Sequence, residues 1–485
     1  MEFIGRKEEL EQLERYFNSD TINTCAIFGK RRVGKSALID RFCEDKPNIK
    51  FNLSGTDPEK MLDHIAMDIS KHTGDDPESV RSGIKDFDSL MMFLSSMRPM
   101  ERTVIVLDEL PDAVNCFKDV PASLMRYIDG DMKNQNVFLI VCGSSISAMT
   151  RELNDSKRPL FQRFPIQMHL LPMPYDDARK FHPGLSEDDI VRMYAVASGI
   201  PLYHKLMSAY DSPRDAIINL LLGETPPLFN ESRNLLSIEV SPESTYNTLL
   251  TLLGGGTTNV KELAEKSGFS KTRCREILDD LRFLGIVSEK RLYGRAKKTQ
   301  EFFIMDGFLD FFYSILAGNE ALLEWDRNDA YEALKGRIES FYGRRFEEVC
   351  AQYIRSTERC RWVGRWWGKV PLREEDGSLV RNGSGKVITT DTDIDIVANV
   401  VRGDAVFTIM AECKFTKWRC GDNELNELIE TSEKALMGGE NVLYFIFSRS
   451  GFTTKLLETA DIRTDLRIKL VSMDDIREWA ESAPE

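Results

Sequence analysis

The sequence lacks the patterns that mark several classes of protein. Its nine cysteines include no C-x-x-C pair and its five histidines show no metal-ligand spacing, which argues against a zinc site and a disulfide framework. No apolar run approaches the ~20 residues that a membrane helix requires. The first residues also lack the basic segment and apolar core of a signal peptide. These absences predict a cytoplasmic protein with reduced thiols and no membrane partner.

The composition is that of an ordinary globular protein. Of its 485 residues, 42% are hydrophobic and 29% are charged, and a chain of this length is expected to form about three domains. The formal net charge of −14 argues against a protein that coats nucleic acid. A local basic patch can still bind it, so the distribution of charge matters more than the sum.

A glycine-rich segment predicts nucleotide binding. Residues 29–36 read G-x-x-x-x-G-K-S and lie between an apolar run and a helical pattern, which is the strand, loop and helix of a phosphate cradle. Lys35 is expected to reach the β- and γ-phosphates of ATP, and Ser36 to bind Mg²⁺. The alternative is a glycine-rich turn that matches the pattern by chance. The predicted cofactor-binding residues of this segment are Gly29, Lys30, Arg31, Arg32, Val33, Gly34, Lys35, Ser36 and Ala37.

Two carboxylates end a later apolar strand. Residues 103–107 are largely aliphatic and precede Asp108 and Glu109, and carboxylates at the C-terminal end of a parallel strand lie where open α/β sheets bind ligands. We expect Asp108 to hold magnesium and Glu109 to orient or deprotonate the attacking water. Such a strand end is common by chance, but its place about seventy residues after the glycine loop supports this interpretation.

Two polar residues near the next strands are further candidates. Ser144 follows the predicted fourth strand and would sense the γ-phosphate, although a serine-rich turn is an equal alternative. Arg163 precedes the predicted fifth strand and would serve as an arginine finger, against the alternative of a surface arginine. A finger given to a neighbouring chain would require a homo-oligomer, whereas a finger acting in its own chain would not.

The region 241–306 predicts a winged helix-turn-helix. Two short helices joined at Gly268 are followed by two strand-like segments. Residues 268–298 contain nine basic and four acidic side chains, a local balance of +5, which suits contacts with DNA phosphates. The alternative is a module that only clamps two domains together. The predicted nucleic-acid contacts are Arg273, Arg275, Arg295 and Lys297.

The last third of the chain predicts a metal-dependent nuclease site. Asp395 and the group Glu412-Cys413-Lys414 form a D…E-x-K pattern on two strands of a hairpin. Two carboxylates on one face can share Mg²⁺ or Mn²⁺, and Lys414 can position water or stabilise the charge that develops on the phosphate. Glu347 on the preceding helix is expected to complete the metal shell. The alternative is a set of solvated edge charges.

These segments resemble the archaeal-type ATPase family, a STAND-like branch of AAA-related P-loop ATPases. The resemblance is carried by Phe3-Ile4-Gly5-Arg6, the 29–36 loop, Leu107-Asp108-Glu109, Gly143-Ser144-Ser145, the segment 159–163, Gly199-Ile200-Pro201, the region 241–306, and the D…E-x-K residues. It implies ATP binding and hydrolysis with a link to DNA, Gly5 and Arg6 beside the adenine, and a C-terminal domain similar to PD-(D/E)xK restriction endonucleases.

Together these patterns predict an α/β protein of four parts. They are a parallel-sheet P-loop ATPase core (1–175), a helical lid (176–240), a winged helix-turn-helix (241–306) and a restriction-endonuclease-like domain (307–485). We expect an ATPase whose nucleotide state controls DNA access to a metal-dependent nuclease. The alternative is an ATP-switched DNA-binding regulator or scaffold whose C-terminal domain does not cleave.

Overall fold

The computed structural model of the protein describes residues 3–223, 226–291, 300–372, 378–435, 441–464 and 466–482. Within these ranges a parallel α/β layer is followed by a group of helices, a small module with two strands, and a C-terminal domain with a mixed sheet. The α/β class expected from the sequence is therefore confirmed.

The N-terminal layer is a five-stranded parallel sheet. Its strands are β1 (Thr24–Phe28), β2 (Asn48–Asn52), β3 (Thr103–Asp108), β4 (Val137–Gly143) and β5 (Ile166–His169). Their order is β2-β3-β4-β1-β5, and every neighbouring pair is parallel. Strands β1 and β4 are buried along their whole length, as expected of strands covered on both faces. Because all five strands run in one direction, the residues that follow β1, β3 and β4 meet at one edge of the sheet.

Eight helices belong to this layer: α1 (Lys7–Phe17), α2 (Lys35–Cys43), α3 (Pro58–Thr73), α4 (Pro77–Gly83), α5 (Phe87–Ser96), α6 (Leu110–Cys116), α7 (Val120–Asp129) and α8 (Ile146–Asn154). The polar stretch after β2 is divided into the three helices α3, α4 and α5. The first break has a local cause, since Gly74 ends α3 with a positive φ of 81° and Asp76 caps α4 through the backbone N–H of Ser79.

Five helices follow the sheet: α9 (Tyr175–Ala178), α10 (Glu187–Ala197), α11 (Pro201–Met207), α12 (Pro213–Leu220) and α13 (Glu231–Glu239). Helix α11 begins at Pro201. Proline suits this first position because its fixed φ is already helical and its missing N–H has no helical partner there.

The next module contains α14 (Glu243–Gly254), α15 (Val260–Ser267), α16 (Lys271–Phe283), β6 (Val287–Arg291) and β7 (Gln300–Ile304), with β6 and β7 antiparallel. Asn259 caps α15 by accepting the N–H of Glu262 at 2.9 Å, and Gly268 makes the turn with φ 75°. These elements lie where the sequence placed them, and their assignment as a winged helix stays a prediction.

The remaining elements are α17 (Gly307–Phe311), α18 (Arg327–Thr357), β8 (Cys360–Pro371), β9 (Thr389–Arg402), β10 (Ala405–Lys414), α19 (Asp422–Lys434), β11 (Val442–Ser448), α20 (Thr454–Ile462), β12 (Arg467–Ser472) and α21 (Met473–Ser482). The sheet has the order β12-β11-β10-β9-β8, in which β8, β9 and β10 are antiparallel and β10, β11 and β12 are parallel. None of the described helices is both long and apolar enough to cross a membrane.

The segment that opens the predicted C-terminal domain packs on the lid and on α14. The rings of Phe308 and Tyr203 stack with centroids 4.6 Å apart. At Gly254, a β carbon would lie 2.5 Å from the backbone carbon of Tyr313, so this contact requires glycine. Residues 307–316 therefore join three parts of the molecule, and the predicted boundaries at 175, 240 and 306 stay predictions.

Candidate functional site

The 29–36 loop has the geometry of a phosphate cradle. It connects the end of β1 to the start of α2, and Gly34 immediately before the helix has φ 99°, which a residue with a side chain rarely adopts. A β carbon at Gly29 would lie 2.4 Å from the carbonyl oxygen of Leu170. Both glycines are thus required by the backbone path, which brings the N-terminus of α2 to the edge of the sheet where ligands bind.

Lys35 is buried inside this loop. Its Nζ donates to the carbonyl oxygens of Gly29 at 2.9 Å and Lys30 at 3.0 Å, and its side chain is 6% exposed. Burial lowers the pKa of the Lys35 amine below its ordinary value. The ammonium group is therefore held in the curl of the loop, where phosphate oxygens of a nucleotide can replace the two carbonyl acceptors.

Ser36 and Asp108 form an oxygen pair suited to magnesium. Ser36 Oγ, in the first turn of α2, and Asp108 Oδ2, at the end of β3, are 3.3 Å apart. A hydroxyl and a carboxylate are hard oxygen ligands, and Mg²⁺ in nucleotide sites is held by one or two such groups together with phosphates. The two side chains present therefore fit the ion predicted from the sequence.

Glu109 is held by the end of β4. Its Oε2 accepts from the backbone N–H of Ser144 at 2.9 Å and from Ser144 Oγ at 3.0 Å. Glu109 also has φ 56°, a left-handed conformation that is uncommon outside glycine and often marks functional sites. The structure thus brings together the predicted base and the predicted γ-phosphate sensor.

Arg6 supports the loop from behind. Its side chain is 5% exposed, and Nη2 donates to the carbonyl oxygens of Val33 at 3.0 Å and Leu171 at 2.6 Å. At Gly5, with φ 66°, a β carbon would collide with the carboxylate of Asp177. These contacts explain why the two residues are needed beside the loop, and their place at the adenine stays a prediction.

A buried ion pair connects the loop to the end of β7. Lys30 Nζ lies 2.9 Å from Asp306 Oδ2 and donates to the carbonyl of Gly285 at 2.9 Å. Burial alone would raise the pKa of Asp306, but the charge of Lys30 and its hydrogen bond hold that pKa below the usual range. The glycine-rich loop and the 241–306 module are therefore joined by a charged contact that is shielded from water.

Helix α13 contacts the same edge of the sheet at both of its ends. Glu231 pairs with Arg32 of the loop at 2.6 Å. Glu239 accepts the N–H of Ile146 at 2.9 Å and Ser147 Oγ at 2.9 Å at the N-terminus of α8, where the helix dipole favours an anion. The lid is thus attached to the glycine-rich loop and to the segment that follows Ser144, while Arg31 is exposed.

A small cavity of about 30 Å³ lies between these parts. Its lining includes Lys30 and Ser144 from the sheet, Glu239 from the lid, and Ile286 and Asp306 from the 241–306 module. All three parts of the chain therefore line a cavity beside the glycine-rich loop.

Arg163 does not face this site. Its Nη2 pairs with Asp129 Oδ2 at 2.7 Å, and its carbonyl accepts from Thr24 Oγ1 at 2.7 Å. Thr24 is the first residue of β1, whereas the glycine-rich loop follows the last. A full strand length therefore separates Arg163 from the glycine-rich loop of its own chain, and its role as an arginine finger, in its own chain or a neighbouring one, stays a prediction.

In the C-terminal sheet, the predicted carboxylates share one face of the hairpin. Ala411 pairs with Ile396 in the antiparallel ladder of β9 and β10, so the next position places Glu412 opposite Asp395. The backbone N–H of Cys413 donates to Asp395 Oδ2 at 2.9 Å, and Lys414 Nζ lies 2.6 Å from Glu412 Oε1. Burial and then the negative charge of Asp395 raise the pKa of Glu412 to about 7, and burial raises that of Asp395.

Arg365 of β8 occupies the other side of this cluster. It pairs with Asp393 and lies 3.9 Å from Asp395 Oδ1 and 3.8 Å from Glu347 Oε2. Among the described residues, no three histidine, cysteine, aspartate or glutamate side chains are placed to hold one metal ion. Glu347 faces the guanidinium of Arg365, and its role in completing the metal shell stays a prediction.

The predicted nucleic-acid contacts differ in their surroundings. The side chain of Arg273 is 41% exposed and pairs with Glu276 at 3.1 Å. Arg275 donates to Gln300 Oε1 at 2.7 Å and lies over the ring of Phe302, so it also holds α16 against β7. Arg295 and Lys297 lie outside the described residues.

Two family models match this chain. Residues 3–204 match an ATPase domain found predominantly in Archaea. This match supports a P-loop ATPase domain that contains the glycine-rich loop, Asp108, Glu109 and Ser144. Residues 312–428 match a family described as archaeal and bacterial proteins of unknown function, and this second match contains Glu347, Asp395, Glu412 and Lys414.

Two proteins of Methanocaldococcus jannaschii are similar in sequence. The uncharacterized protein MJECL04 is 23% identical over 375 residues, which cover 75% of this chain and 82% of that protein. The uncharacterized ATP-binding protein MJ0423 is 52% identical over 44 residues, which cover 9% of this chain and 75% of that protein.

Solved structures with a related arrangement include two from Archaea. The Walker-type ATPase PABY2304 of Pyrococcus abyssi covers 64% of this chain and 96% of its own, with a TM-score of 0.47 and 16% identity. The ORC2 protein of Aeropyrum pernix, in complexes with ADPNP and ADP, covers 66% and 94% with a TM-score of 0.45 and 15% identity.

Sequence reasoning missed several residues around the two sites. Asp306, Glu231 and Glu239 contact the ATPase site from other parts of the chain, and Arg365 faces the C-terminal carboxylates. Asp306 lies two residues after the end of β7, which is the one signal that was present. The others lie in helical or aromatic segments where a charged residue is ordinarily a surface residue.

Proposed function

We propose that this protein is an ATPase that controls a metal-dependent DNA nuclease in its C-terminal domain. The ATPase domain supplies ATP binding and hydrolysis through Lys35, Ser36, Asp108 and Glu109. Magnesium bound by Ser36 and Asp108 would neutralise phosphate charge. Glu109 would orient the attacking water once its carboxylate leaves the hydroxyl and N–H of Ser144.

The observation that carries the nuclease half of the proposal is the pairing of Asp395 with Glu412. Four carboxylates (Glu347, Asp393, Asp395 and Glu412) surround two cations (Arg365 and Lys414), which leaves a formal charge of 2 − 4 = −2. A divalent cation on Asp395 and Glu412 would balance that charge and supply Lewis-acid activation of water. Lys414 would hold the scissile phosphate by charge, and Arg365 would fix the orientation of the carboxylates.

Control by nucleotide state is supported by contacts that lead from one domain to the other. Lys30 of the ATPase loop pairs with Asp306. One residue earlier, the carbonyl of Met305 accepts from Arg345 Nη1 at 3.1 Å. Arg345 lies on α18, two residues before Glu347. A nucleotide that draws Lys30 toward its phosphates would therefore act on the helix that borders the C-terminal cluster.

One experiment tests the cleavage step. The full-length protein is incubated with labelled linear and circular DNA, with and without ATP and Mn²⁺, beside Lys414→Ala and Asp395→Ala. We expect metal-dependent products that both variants abolish while ATP binding survives. The control is Lys369→Ala, a lysine of β8 whose side chain is 68% exposed, which should cut normally. Unchanged cutting by Lys414→Ala would remove the proposal.

The second candidate is an ATP-switched DNA-binding regulator that does not cleave. It is favoured by Arg365, since a guanidinium already neutralises part of the carboxylate cluster, and by the missing third carboxylate ligand among the described residues. This function predicts salt-sensitive DNA binding and no product under Mg²⁺ or Mn²⁺.

A further inference from the structure

The loop that leaves the end of β10 exposes a tryptophan on a rigid support. Trp418 is 69% exposed, and its neighbours Thr416, Lys417 and Arg419 are exposed as well. We refer to residues 416–419 as the Trp418 loop. A single exposed apolar residue is ordinary on a protein surface, so the surroundings of this one decide what it means.

Hydrogen bonds hold the Trp418 loop at both ends. The carbonyl of Lys414 accepts from Arg449 N at 2.9 Å, and that of Thr416 accepts from Ser450 Oγ at 2.6 Å. At the other end, Cys420 N donates to the carbonyl of Gly451 at 3.0 Å. The loop is thus tied to the segment after β11, and the indole is exposed from a fixed backbone.

The residue beneath the loop is fixed by two guanidinium groups. Phe415 is buried, and Arg192 and Arg449 lie over its ring at 5.5 and 5.0 Å. Arg449 is itself held by Asp188 at 2.6 Å. Phe415 therefore anchors the loop in the protein, while the side chain of Trp418, three residues later, is exposed to solvent.

Two cations flank Trp418 in the chain. Lys417 Nζ lies 4.9 Å from the indole centroid, and Arg419 follows directly. Within the described residues, neither cation forms an ion pair with a carboxylate. A flat apolar ring beside unpaired cations is the combination that binds single-stranded nucleic acid, because bases stack on the ring and phosphates pair with the cations.

The position of the loop relates it to the C-terminal cluster. Trp418 is four residues beyond Lys414, so their Cα atoms are at most about 14 Å apart. That span corresponds to about four stacked nucleotides. We propose that Trp418 is a stacking platform for an unpaired DNA base, flanked by phosphate contacts from Lys417 and Arg419, beside the Asp395–Glu412 cluster.

The position of this platform rests on the proposed nuclease function, but its test does not. Binding of a fluorescein-labelled oligo-dT and of a duplex of equal length is measured by anisotropy, with nucleotide-free full-length protein in EDTA, so that no cleavage occurs. We expect Trp418→Ala to bind oligo-dT about 5- to 150-fold more weakly, as for the loss of one base stack. Trp418→Phe should retain most of the affinity, and duplex binding should change less.

The matched control is Trp325→Ala, which removes another tryptophan that is 53% exposed and should not alter oligo-dT binding. Lys417→Ala should lower the slope of log affinity against log salt by about 0.7. Binding of oligo-dT should also quench the tryptophan fluorescence of the parent protein, and Trp418→Phe should abolish this quenching.

Equal oligo-dT affinities of Trp418→Ala and the parent protein, with circular dichroism showing both folded, would overturn the platform. So would a concentration-dependent self-association that Trp418→Ala removes without any change in DNA binding, because the occupant would then be a second copy of the chain. Loss of oligo-dT binding in a protein that never cuts DNA would uphold the platform and reject only the nuclease.

Discussion

Lys30 of the ATPase loop and Asp306, 276 residues later in the chain, form an ion pair 2.9 Å long that is largely closed to solvent. Breaking one partner of such a pair leaves a buried charge uncompensated. The 241–306 module is therefore held against the glycine-rich loop by a contact that is costly to break.

Asp306→Asn is expected to raise basal ATP turnover. The substitution weakens the contact that holds Lys30. Coupling between two parts of a protein is typically worth 1 to 3 kcal/mol, so we expect the rate of turnover to rise by about 5- to 150-fold. Turnover is measured by phosphate release from the full-length protein. The control, Asp63→Asn, weakens a pair with Arg81 on the surface of the same domain and should leave turnover unchanged. Equal or slower turnover by a folded Asp306→Asn protein would contradict control by this contact.

Glu109→Gln is expected to slow ATP hydrolysis by about 100-fold or more while ATP still binds, because an amide cannot take a proton from water. Calorimetry measures binding, and Lys35→Ala, which should not bind ATP, gives the lower limit. Glu101→Gln changes an exposed glutamate before the other end of β3 and serves as the control. Normal turnover by Glu109→Gln would show that the base is another residue.

Arg273→Ala is expected to weaken duplex DNA binding and to reduce the salt slope of log affinity by about 0.9, the value for one phosphate contact. Arg275→Ala should in addition lower the melting temperature, because Arg275 also bonds Gln300 and covers Phe302. Lys261→Ala, 71% exposed on α15, is the control. If Arg273 and Lys261 variants behave alike, α16 does not face DNA.

The protein is expected to lose stability in acid because it buries two histidines. His182 Nε2 and His204 Nδ1 are 2.9 Å apart, and His204 also bonds the carbonyl of Ser198. Burial lowers the pKa of His182 to about 4 and that of His204 to about 3, whereas both titrate near 6.5 when unfolded. Below about pH 6.5 the unfolded chain binds more protons than the folded protein. The free energy of unfolding therefore falls by up to about 1.4 kcal/mol per pH unit for each histidine, until the pH reaches the pKa of that histidine in the folded protein.

Melting temperatures between pH 7.5 and 4.5 check this dependence. His204→Gln should melt lower at neutral pH but lose less on acidification. His64→Gln, which changes an exposed histidine of α3, should keep the parent slope. A parent slope in the His204 variant would assign the acid sensitivity to other groups.

Local patterns predicted the backbone of both sites. Apolar runs marked β1, β3 and β4, and the alternation of Asp393 and Asp395 with buried isoleucines placed the carboxylates on one face. Such patterns work because the period of a strand or helix depends on near neighbours. The capping of α15 by Asn259 was predictable for the same reason.

Contacts between distant segments were not predictable in this way. The side chain of Arg365 belongs to an aromatic strand, and nothing within a few residues of it indicates that it faces Asp395. For Arg163, the sequence does not show which edge of the sheet its loop occupies. Both cases concern the three-dimensional packing of charged groups, which a period of 2 or 3.6 residues does not encode.

Helix α18 spans 31 residues, a rod about 46 Å long at the standard rise per residue. Near its middle, Arg345 contacts the 241–306 module and Glu347 contacts the C-terminal sheet. The same few turns of this helix therefore touch both parts of the protein. A tilt of about 5° there would move one end of the rod by about 2 Å, enough to break a hydrogen bond. A tilt of this single helix would then transmit a change at the bound triphosphate to side chains that never contact the nucleotide.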